Sequence, residues 1–291
     1  MLNIKVPASS ANLGPGFDTL CIALNLYNEF EVELSNELKI FNVDDEFNNE
    51  DNLFYKSYKF TANKYNINNE ITINLKNINV PISRGLGSSS TMIIAGILAC
   101  NHLNNLKLSD NQVINIATEI EGHPENVAAC FLGGLTISTI DKLHGDKNVI
   151  TKKIDINNNI NFTVIIPPYK TNTEEARKIL PKEISLPNAV ENISHAVLLV
   201  DALKNNELDK INIYLKDNIH EPYRKTLIKD YDHIKDICMK NGAKGFTISG
   251  SGSTMLAISD IPNLSKKIAI EGDYKMLDLK VDNEGTRVIL Y

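Results

Sequence analysis

Apolar and polar residues alternate along this chain with two periodicities, the two-residue period of a strand and the longer period of a helix. Residues 27–34 (YNEFEVEL) alternate, which predicts a strand over 20–34 with one solvent-facing side. Residues 4–6 predict a short opening strand. The next stretch, 8–18, is small, polar and interrupted by Gly and Pro, so it predicts a loop. Residues 42–52 are acidic and rich in Asn, which predicts a surface turn.

Helical spacing takes over in the middle of the first half. Residues 53–65 predict a helix, and the apolar stretch after the loop at 81–90 predicts a second, largely buried helix. A third helix begins at Ser109, because this residue opens an S-x-x-Q capping box and apolar residues then follow at i, i+3, i+4 and i+7. It ends at Gly122, since Pro124 prevents its continuation.

The remaining elements are mixed in the same way. Further strands are predicted at 71–75, 135–140, 162–166, 246–248, 254–258 and 287–290, and further helices at 173–180, 192–204 and 229–241. Residues 141–148 are polar and contain glycine, so they are the best place for a boundary between two domains, 1–145 and 155–291. Helices and strands occur together in both halves, which predicts an α+β fold.

Composition and charge narrow the class of protein. The 291 residues are 43% hydrophobic and 23% charged, which is ordinary for a globular protein with a real core. The net charge is −6 and no run of Lys or Arg occurs, so we expect no nucleic-acid partner. The N-terminus lacks a signal-peptide h-region and the longest apolar run, near 92–100, is too short to span a membrane. We therefore expect a cytoplasmic protein without membrane contacts.

The four cysteines, Cys21, Cys100, Cys130 and Cys238, form no C-x-x-C pair. Neither a zinc site nor a redox motif is indicated, and we expect small buried hydrophobic side chains. A disulfide framework is not expected in a chain of this size with so few cysteines.

The stretch 85–90, GLGSSS, enters a predicted helix and has the features of an anion site. Two glycines let backbone N–H groups approach a ligand, and the first helical turn offers unpaired N–H groups and a positive dipole end. The serine hydroxyls add donors, and one could bind a metal ion. The Walker lysine and the third glycine of a dinucleotide site are missing. On composition alone, the same loop could simply cap a helix.

At this loop the chain resembles the GHMP kinases, whose phosphate motif is P-x-x-x-G-L-G-S-S. Pro81 and residues 85–89 match the motif in full. Three further stretches resemble the homoserine kinase branch: PASSANLGPGFDTL at 7–20, EGHPENVA at 121–128 and SGSG at 249–252. The matches follow the expected order from residue 7 to about 255 and span most of the chain.

The resemblance implies a two-domain fold, with an N-terminal domain like domain 2 of ribosomal protein S5 and a ferredoxin-like C-terminal domain. It implies an ATP loop in the first domain, a substrate site at the junction and a homodimer. The activity implied is MgATP-dependent phosphorylation of the L-homoserine hydroxyl to O-phospho-L-homoserine, in threonine biosynthesis. The alternative is another GHMP kinase, of the mevalonate or diphosphocytidyl-methylerythritol type. A non-catalytic relative would lack the loop serines or the metal carboxylate, and both are present.

The resemblance also carries over a nucleotide and metal site, residue by residue. Its nucleotide contacts are Pro81, Ile82, Ser83, Arg84, Gly85, Leu86, Gly87, Ser88, Ser89, Ser90 and Thr91, with Asn52 near adenine. Ser89 and one carboxylate are expected to bind Mg²⁺. Glu121 fits the motif better than Glu119, which remains the alternative. Asn52 could equally be an ordinary turn residue.

The ammonium, carboxylate and hydroxyl groups of homoserine each need a protein partner of opposite charge or matching polarity. Asp18 is the position implied for the ammonium group and Asn12 for the reacting hydroxyl. The carboxylate suits guanidinium groups, which bind it in bidentate fashion. The implied residues for it are Arg177, Arg224, His123 and the backbone of Gly250. Without the joint pattern, Asp18 and Asn12 would be typical of Asx turns, and the arginines of solvated surface.

Catalysis is expected to rest on position rather than on a strong base. Thr173 is expected near the transferring phosphate. Asn126 stands where mevalonate-type relatives have an Asp that takes the proton of the acceptor hydroxyl. Phosphoryl transfer has a loose transition state, so positioning and charge neutralisation are sufficient. Two residues depart from the branch pattern: Glu125 replaces an Asp, and Ser253 replaces a Pro, which we expect to loosen the SGSG turn.

Overall fold

The computed structural model describes residues 1–141 and 148–291. Its strands are β1 (Leu2–Ala11), β2 (Leu20–Ser35), β3 (Lys39–Phe41), β4 (Glu70–Ile78), β5 (Leu135–Asp141), β6 (Asn148–Ile154), β7 (Asn161–Ile166), β8 (Gly245–Ile248), β9 (Met255–Ser259), β10 (Lys275–Leu279) and β11 (Arg287–Leu290). Its helices are α1 (Leu53–Lys64), α2 (Ser88–Leu103), α3 (Asp110–Glu121), α4 (Glu125–Leu132), α5 (Thr173–Lys178), α6 (Leu186–Asn205), α7 (Ile211–Tyr214), α8 (Glu221–Arg224) and α9 (Tyr231–Lys240).

The strands of the described residues form two sheets. The first has the order β11-β1-β2-β4-β3, with β5 paired to β2 and β6 paired to β5. Its centre is β2, whose first residues pair with β5 and whose last eight positions pair with β4. Helices α1 and α2 cover this sheet, and their apolar faces form its core. The second sheet has the order β10-β7-β9-β8 and all its pairs are antiparallel.

The loop predicted at 8–18 is wrong in its first part, because β1 continues to Ala11. Ser9 and Ser10 are buried and pair with Ala23 and Ile22 of β2. Their hydroxyls meet polar groups that lie far away in sequence: Ser9 Oγ donates to the Asn126 side chain at 2.8 Å. Small polar residues in a strand buried on both faces give no alternating signal, which is why the pattern failed here.

The helices of the first half agree well with prediction, with one omission. The capping box of α3 is present, and Gly122 ends the helix with φ of +93°. Helix α4 was missed, because Pro124 was interpreted only as a stop signal. Pro124 occupies the N-cap position of α4, where its missing N–H costs nothing.

In the second half, the strands predicted at 162–166, 246–248 and 254–258 are confirmed as β7, β8 and β9 to within a residue or two. Helix α6 begins at Leu186, six residues before the predicted start, because Ser185 caps it and a proline occupies its first turn. Strand β10 was not predicted. The predicted closing strand exists as β11 but pairs with β1 in the first sheet.

The boundary predicted at 141–148 lies largely outside the described residues. The strands on either side of it, β5 and β6, pair with each other in the first sheet, with Asp141 opposite Asn148. The division into 1–145 and 155–291 stays a prediction, to which the structure adds β6 and β11 as members of the first sheet. Among the described helices, none combines the length and the apolar character needed to cross a membrane.

Candidate active site

A cavity of about 550 Å³ is lined by strands, helices and loops of the first sheet and by α5, α8 and the turn that joins β8 to β9. The first sheet's helices and loops supply one end, where the glycine-serine loop lies. The other end is formed where the start of loop 12–19 meets α5, α8 and the turn at 249–252. Direct bonds join these parts: the Gly250 N–H donates to the Ala11 carbonyl at 3.0 Å, and the Thr254 N–H to the Arg84 carbonyl at 3.3 Å.

The glycine-serine loop needs glycine at two positions for different reasons. Gly85 has φ of +73°, and a Cβ there would lie 2.2 Å from the Ser249 carbonyl oxygen. Gly87 is the N-cap of α2 with φ of +70°, and a Cβ there would lie 2.0 Å from Ser9 Oγ. The loop therefore packs its backbone against β1 and the 249–252 turn. The first turn of α2 opens toward the cavity, as an anion site requires.

The structure divides the predicted nucleotide residues into two groups. Those that line the cavity are Asn52, Ile82, Ser83, Arg84, Gly85, Gly87, Ser88 and Ser89. Leu86 is buried in the apolar core instead, and the Thr91 hydroxyl donates to the Ser88 carbonyl. Pro81 and Ser90 stand beside the cavity without lining it. The motif thus mixes residues that face a ligand with residues that hold the loop.

Ser89 and Glu121 come together as the metal hypothesis requires. Ser89 Oγ donates to Glu121 Oε1 at 2.7 Å, and Ser90 Oγ donates to the same oxygen at 3.0 Å. Glu119 faces away and pairs with Lys64 at 2.9 Å on the outer surface. No group of three or more His, Cys, Asp or Glu side chains that could bind a metal occurs in 1–141 or 148–291. A hydroxyl and one carboxylate nevertheless suit Mg²⁺, which keeps several waters.

Asn52 acts in the structure as the N-cap of α1. Its Oδ1 accepts from the N–H groups of Phe54 and Tyr55, and its Nδ2 donates to the Phe47 carbonyl. Both ends of the amide are used, so Asn52 shapes the cavity wall. Around it stand apolar side chains that the sequence did not single out: Val43, Phe47, Leu53, Leu75, Ile78 and Met92. Part of this wall comes from the predicted surface turn at 42–52, so that stretch also lines the cavity.

Asn12 organises the other end of the cavity. Its Nδ2 donates to the Gly250 carbonyl at 2.9 Å, and its Oδ1 accepts from the Asp18 N–H at 3.1 Å. The amide thereby closes loop 12–19 and ties it to the turn of the second sheet. A contact from Asn12 to a substrate hydroxyl stays a prediction.

Asp18 and Arg177 bind each other. The Arg177 guanidinium donates to both Asp18 oxygens, at 2.9 and 3.0 Å. This bidentate pair, with Asp18 as its main cause, raises the pKa of Arg177 above its usual value. Both side chains line the cavity and both are partly exposed, so the pair is accessible from it.

Arg224 is a buried cation whose partners are neutral. Its side chain is 2% exposed, and it donates from Nε to the Ala176 carbonyl and from Nη1 to the Gly250 carbonyl, at 3.1 and 2.9 Å. Within the described part of the chain, no carboxylate lies at ion-pair distance from it. Burial lowers its pKa to about 10. A buried guanidinium without a counter-ion is costly, and it lines a cavity that an anion could enter.

His123, Glu125 and Asn126 form a polar cluster at the cavity wall. Glu125 is 2% exposed, and its Oε1 lies 2.8 Å from His123 Nδ1 and 3.3 Å from Asn126 Nδ2. Burial alone would lower the pKa of His123, but the neighbouring carboxylates, Glu125 first, outweigh it and raise the pKa. Glu125 Oε2 is buried without a hydrogen-bond partner in the described residues. Sequence reasoning noted Glu125 only as a departure and missed that it lines the cavity.

The last predicted residues lie at the mouth of the polar end. The Thr173 hydroxyl is 3.3 Å from the Ser251 hydroxyl, and Asn172 caps α5 through its side chain. Ser253 is buried and donates to the Tyr169 carbonyl at 2.8 Å. This bond ties the turn to Tyr169, and the loosening expected at Ser253 stays a prediction.

Comparison with known proteins agrees with this architecture over the whole chain. The family models described as GHMP kinases N terminal domain and GHMP kinases C terminal match residues 52–134 and 199–271. A homoserine kinase of Clostridium beijerinckii is 40% identical, covering 99% of both chains. The crystal structure of a homoserine kinase from Cytophaga hutchinsonii superposes with a TM-score of 0.85 at 29% identity, covering 99% of this chain and 97% of that one.

A mevalonate kinase of Methanococcus jannaschii shares the fold alone, with a TM-score of 0.71 at 18% identity over 97% of this chain and 98% of that one. The α+β, two-domain fold predicted from the sequence is confirmed by these matches.

Proposed function

The chain belongs to the GHMP kinases, within which it groups with the homoserine kinases, and on this premise we propose that it transfers the γ-phosphoryl group of ATP to the hydroxyl of L-homoserine. The observation that carries the proposal is the charge pattern at the polar end of the cavity. A buried guanidinium without a counter-ion, Arg224, stands beside an accessible carboxylate, Asp18. That pattern is complementary to an amino acid zwitterion.

The acceptor joins the ion pair that Asp18 and Arg177 already form. The ammonium group pairs with Asp18, and the carboxylate pairs with Arg224 and with the Arg177 guanidinium that Asp18 holds in place. The hydroxyl is then directed toward Asn12 and the first turn of α2. A mevalonate-type acceptor has no ammonium group to pair with Asp18, so the site favours homoserine over this alternative.

The phosphate end acts by position and charge. The N–H groups and hydroxyls at the start of α2 hold the triphosphate, and Ser89 and Glu121 hold Mg²⁺, which supplies neutralisation of the phosphate charge. Asn126 has no basic group, and its oxygen accepts from Ser9, so it orients the wall rather than removing a proton. Transfer then depends on the two substrates being held in line.

A coupled ADP-release assay with MgATP tests this function. Homoserine, mevalonate, galactose and shikimate are offered separately as acceptors, and we expect turnover with homoserine alone. Activity on mevalonate without activity on homoserine would contradict the proposal. A place in threonine biosynthesis and a cytoplasmic location belong to the same proposal, and the first is measured by complementation of a threonine auxotroph that lacks the kinase.

The proposed enzyme acts as a homodimer, and helix α6 offers the surface for it. Large apolar side chains stand in solvent at a spacing of four, three and four residues, between 55% and 77% exposed: Leu186, Val190, Ile193 and Val197. The opposite face of α6 is the one that packs on the protein, through Asn192, His195 and Leu199. Apolar residues at this spacing are typical of a seam between two helices.

This seam suits a second copy of the chain. Two α6 helices that pair in antiparallel orientation about Ile193 bring the same apolar faces together about a two-fold axis. Light scattering tests the pairing: Ile193→Asp should convert a dimer to a monomer. The matched control is Ile150→Asp, which changes an exposed isoleucine on β6 and should leave the dimer intact. A monomeric wild type at micromolar concentration would contradict this part.

A further inference from the structure

Phe17 stands at the meeting point of the charged groups in the acceptor end. Its ring centroid lies 5.1 Å from Cζ of Arg224 and 5.6 Å from Cζ of Arg177. The ring of His220 stacks on it, with centroids 5.4 Å apart and an interplanar angle of 29°. One side chain thus touches both guanidinium groups that the proposed function assigns to the substrate carboxylate.

Two guanidinium groups this close repel each other, and their positive charges are balanced unequally by the groups around them. Arg177 has Asp18 as its partner, whereas Arg224 has carbonyl partners only. A carboxylate paired with Arg224 would stabilise it but would also occupy the place of the substrate. An aromatic ring attracts cations through its quadrupole without carrying a charge, so it stabilises both guanidinium groups and leaves their donors for an anion.

The Phe17 ring is itself held in place, so it can fix the positions of both arginine side chains. The residues before and after it are fixed: the Gly16 N–H donates to the Asn12 carbonyl at 3.0 Å, and the Asp18 N–H to the Asn12 side chain. Behind the ring, buried His220 has Nε2 at 2.9 Å from the Gly14 carbonyl oxygen. Burial lowers the pKa of His220, so a neutral imidazole rather than a third cation supports the ring.

We propose that Phe17 is a positioning residue for acceptor binding, whose ring fixes the guanidinium groups of Arg177 and Arg224 so that both face one substrate carboxylate. The inference rests on the proposed function, which supplies the carboxylate. It assigns a role to a side chain that carries no reactive or charged group and that motif reasoning passed over.

The test compares two acceptors in the same enzyme. Homoserine has the carboxylate, and homoserinol has a CH₂OH group in its place. Phe17→Leu keeps an apolar side chain but removes the ring, so we expect about a tenfold rise in the KM for homoserine, with kcat/KM for homoserinol and the KM for ATP unchanged. Phe17→Tyr keeps the ring and should retain the wild-type preference for homoserine.

Two further variants separate this role from general packing. Phe162→Leu removes a buried ring of β7 away from the cavity, and should lower the Tm without changing the preference between the acceptors. Phe17→Met serves if Phe17→Leu does not fold, and it should lose the preference in the same way. An unchanged preference, or an equal loss for both acceptors, in the folded variants would overturn the role of Phe17. A wild type inactive on homoserine would overturn the proposed function and this inference with it.

Discussion

The two ends of the cavity are built in opposite ways. The phosphate end is largely local: one loop and the first turn of the helix behind it, 81–91, present backbone N–H groups and hydroxyls, and Glu121 joins them from the end of α3. The acceptor end is assembled from loop 12–19, α5, α8 and the 249–252 turn, which come from both sheets. Its working groups are side chains, and they are held by bonds between residues up to 238 positions apart.

This difference follows from the ligands. A triphosphate has many equivalent oxygens, so N–H groups of one helix start and a metal ion are sufficient to hold it. A small zwitterion has one cation and one anion, and discrimination requires side chains of opposite charge at fixed separation. We therefore expect changes at the phosphate end to act on turnover and ATP, and changes at the acceptor end to act on homoserine alone.

The largest effect is expected from Glu121→Gln. The amide keeps the size of the side chain and loses the charge that is proposed to hold Mg²⁺ beside Ser89, so kcat should fall by about 10³. Glu119→Gln is the matched control, because Glu119 pairs with Lys64 on the outer surface, and it should stay within about twofold of wild type. The measurement is kcat as a function of Mg²⁺ concentration. Equal losses in the two variants would mean that Glu121 has no special role.

Arg224→Ala should break the acceptor end while sparing the phosphate end. It removes the buried cation that is proposed to meet the substrate carboxylate, so the KM for homoserine should rise by about 10², with little change in the KM for ATP. Lys225→Ala is the control, because the neighbouring Lys225 pairs with exposed Asp232 outside the cavity. Steady-state kinetics with each substrate varied in turn decide the matter. A parallel rise in both KM values would assign Arg224 to structure.

A third prediction tests whether the phosphate end depends on backbone rather than on side chains. Gly87→Ala forces a Cβ against Ser9 Oγ and strains a positive φ, so the KM for ATP should rise about tenfold. The double variant with Ser9→Ala should recover part of that loss, because the closest atom has gone. Gly85→Ala meets the Ser249 carbonyl oxygen, which is backbone, and Ser9→Ala should not rescue it. Equal rescue of both glycine variants would contradict the assignment of the clashes.

The same contrast explains what could be predicted from the sequence. The phosphate loop, the helix behind it and the capping box of α3 are local patterns, and the structure has them where they were predicted. The side of α3 on which a residue lies is also a local property, and Glu121 meets Ser89 whereas Glu119 meets Lys64. The role of Glu121 as a metal ligand stays a prediction. At the acceptor end, the residue types were found by resemblance, and their mutual arrangement was not.

Three failures, two at the acceptor end and one in β1, have one physical cause. The pairing of Asp18 with Arg177 depends on how α5 docks against loop 12–19, and no pattern within either segment encodes that docking. Phe17 acquires its importance only from the arginines that surround it. The strand character of Ser9 comes from neighbours on both faces of β1. In each case a side-chain partner lies more than 100 residues away.

The smallest effect is expected where this chain departs from its own branch, at Glu125. Glu125→Asp restores the residue common in that branch and withdraws the carboxylate from His123 Nδ1, which it now approaches to 2.8 Å. A water molecule can fill the gap and keep the link, so the KM for homoserine should change by about threefold and the KM for ATP should not change. Glu50→Asp, which shortens an exposed carboxylate outside the cavity, is the control for shortening alone. A large loss in kcat with Glu125→Asp would mean that the longer side chain is part of the phosphate end, and the separation of the two ends would then fail at this residue.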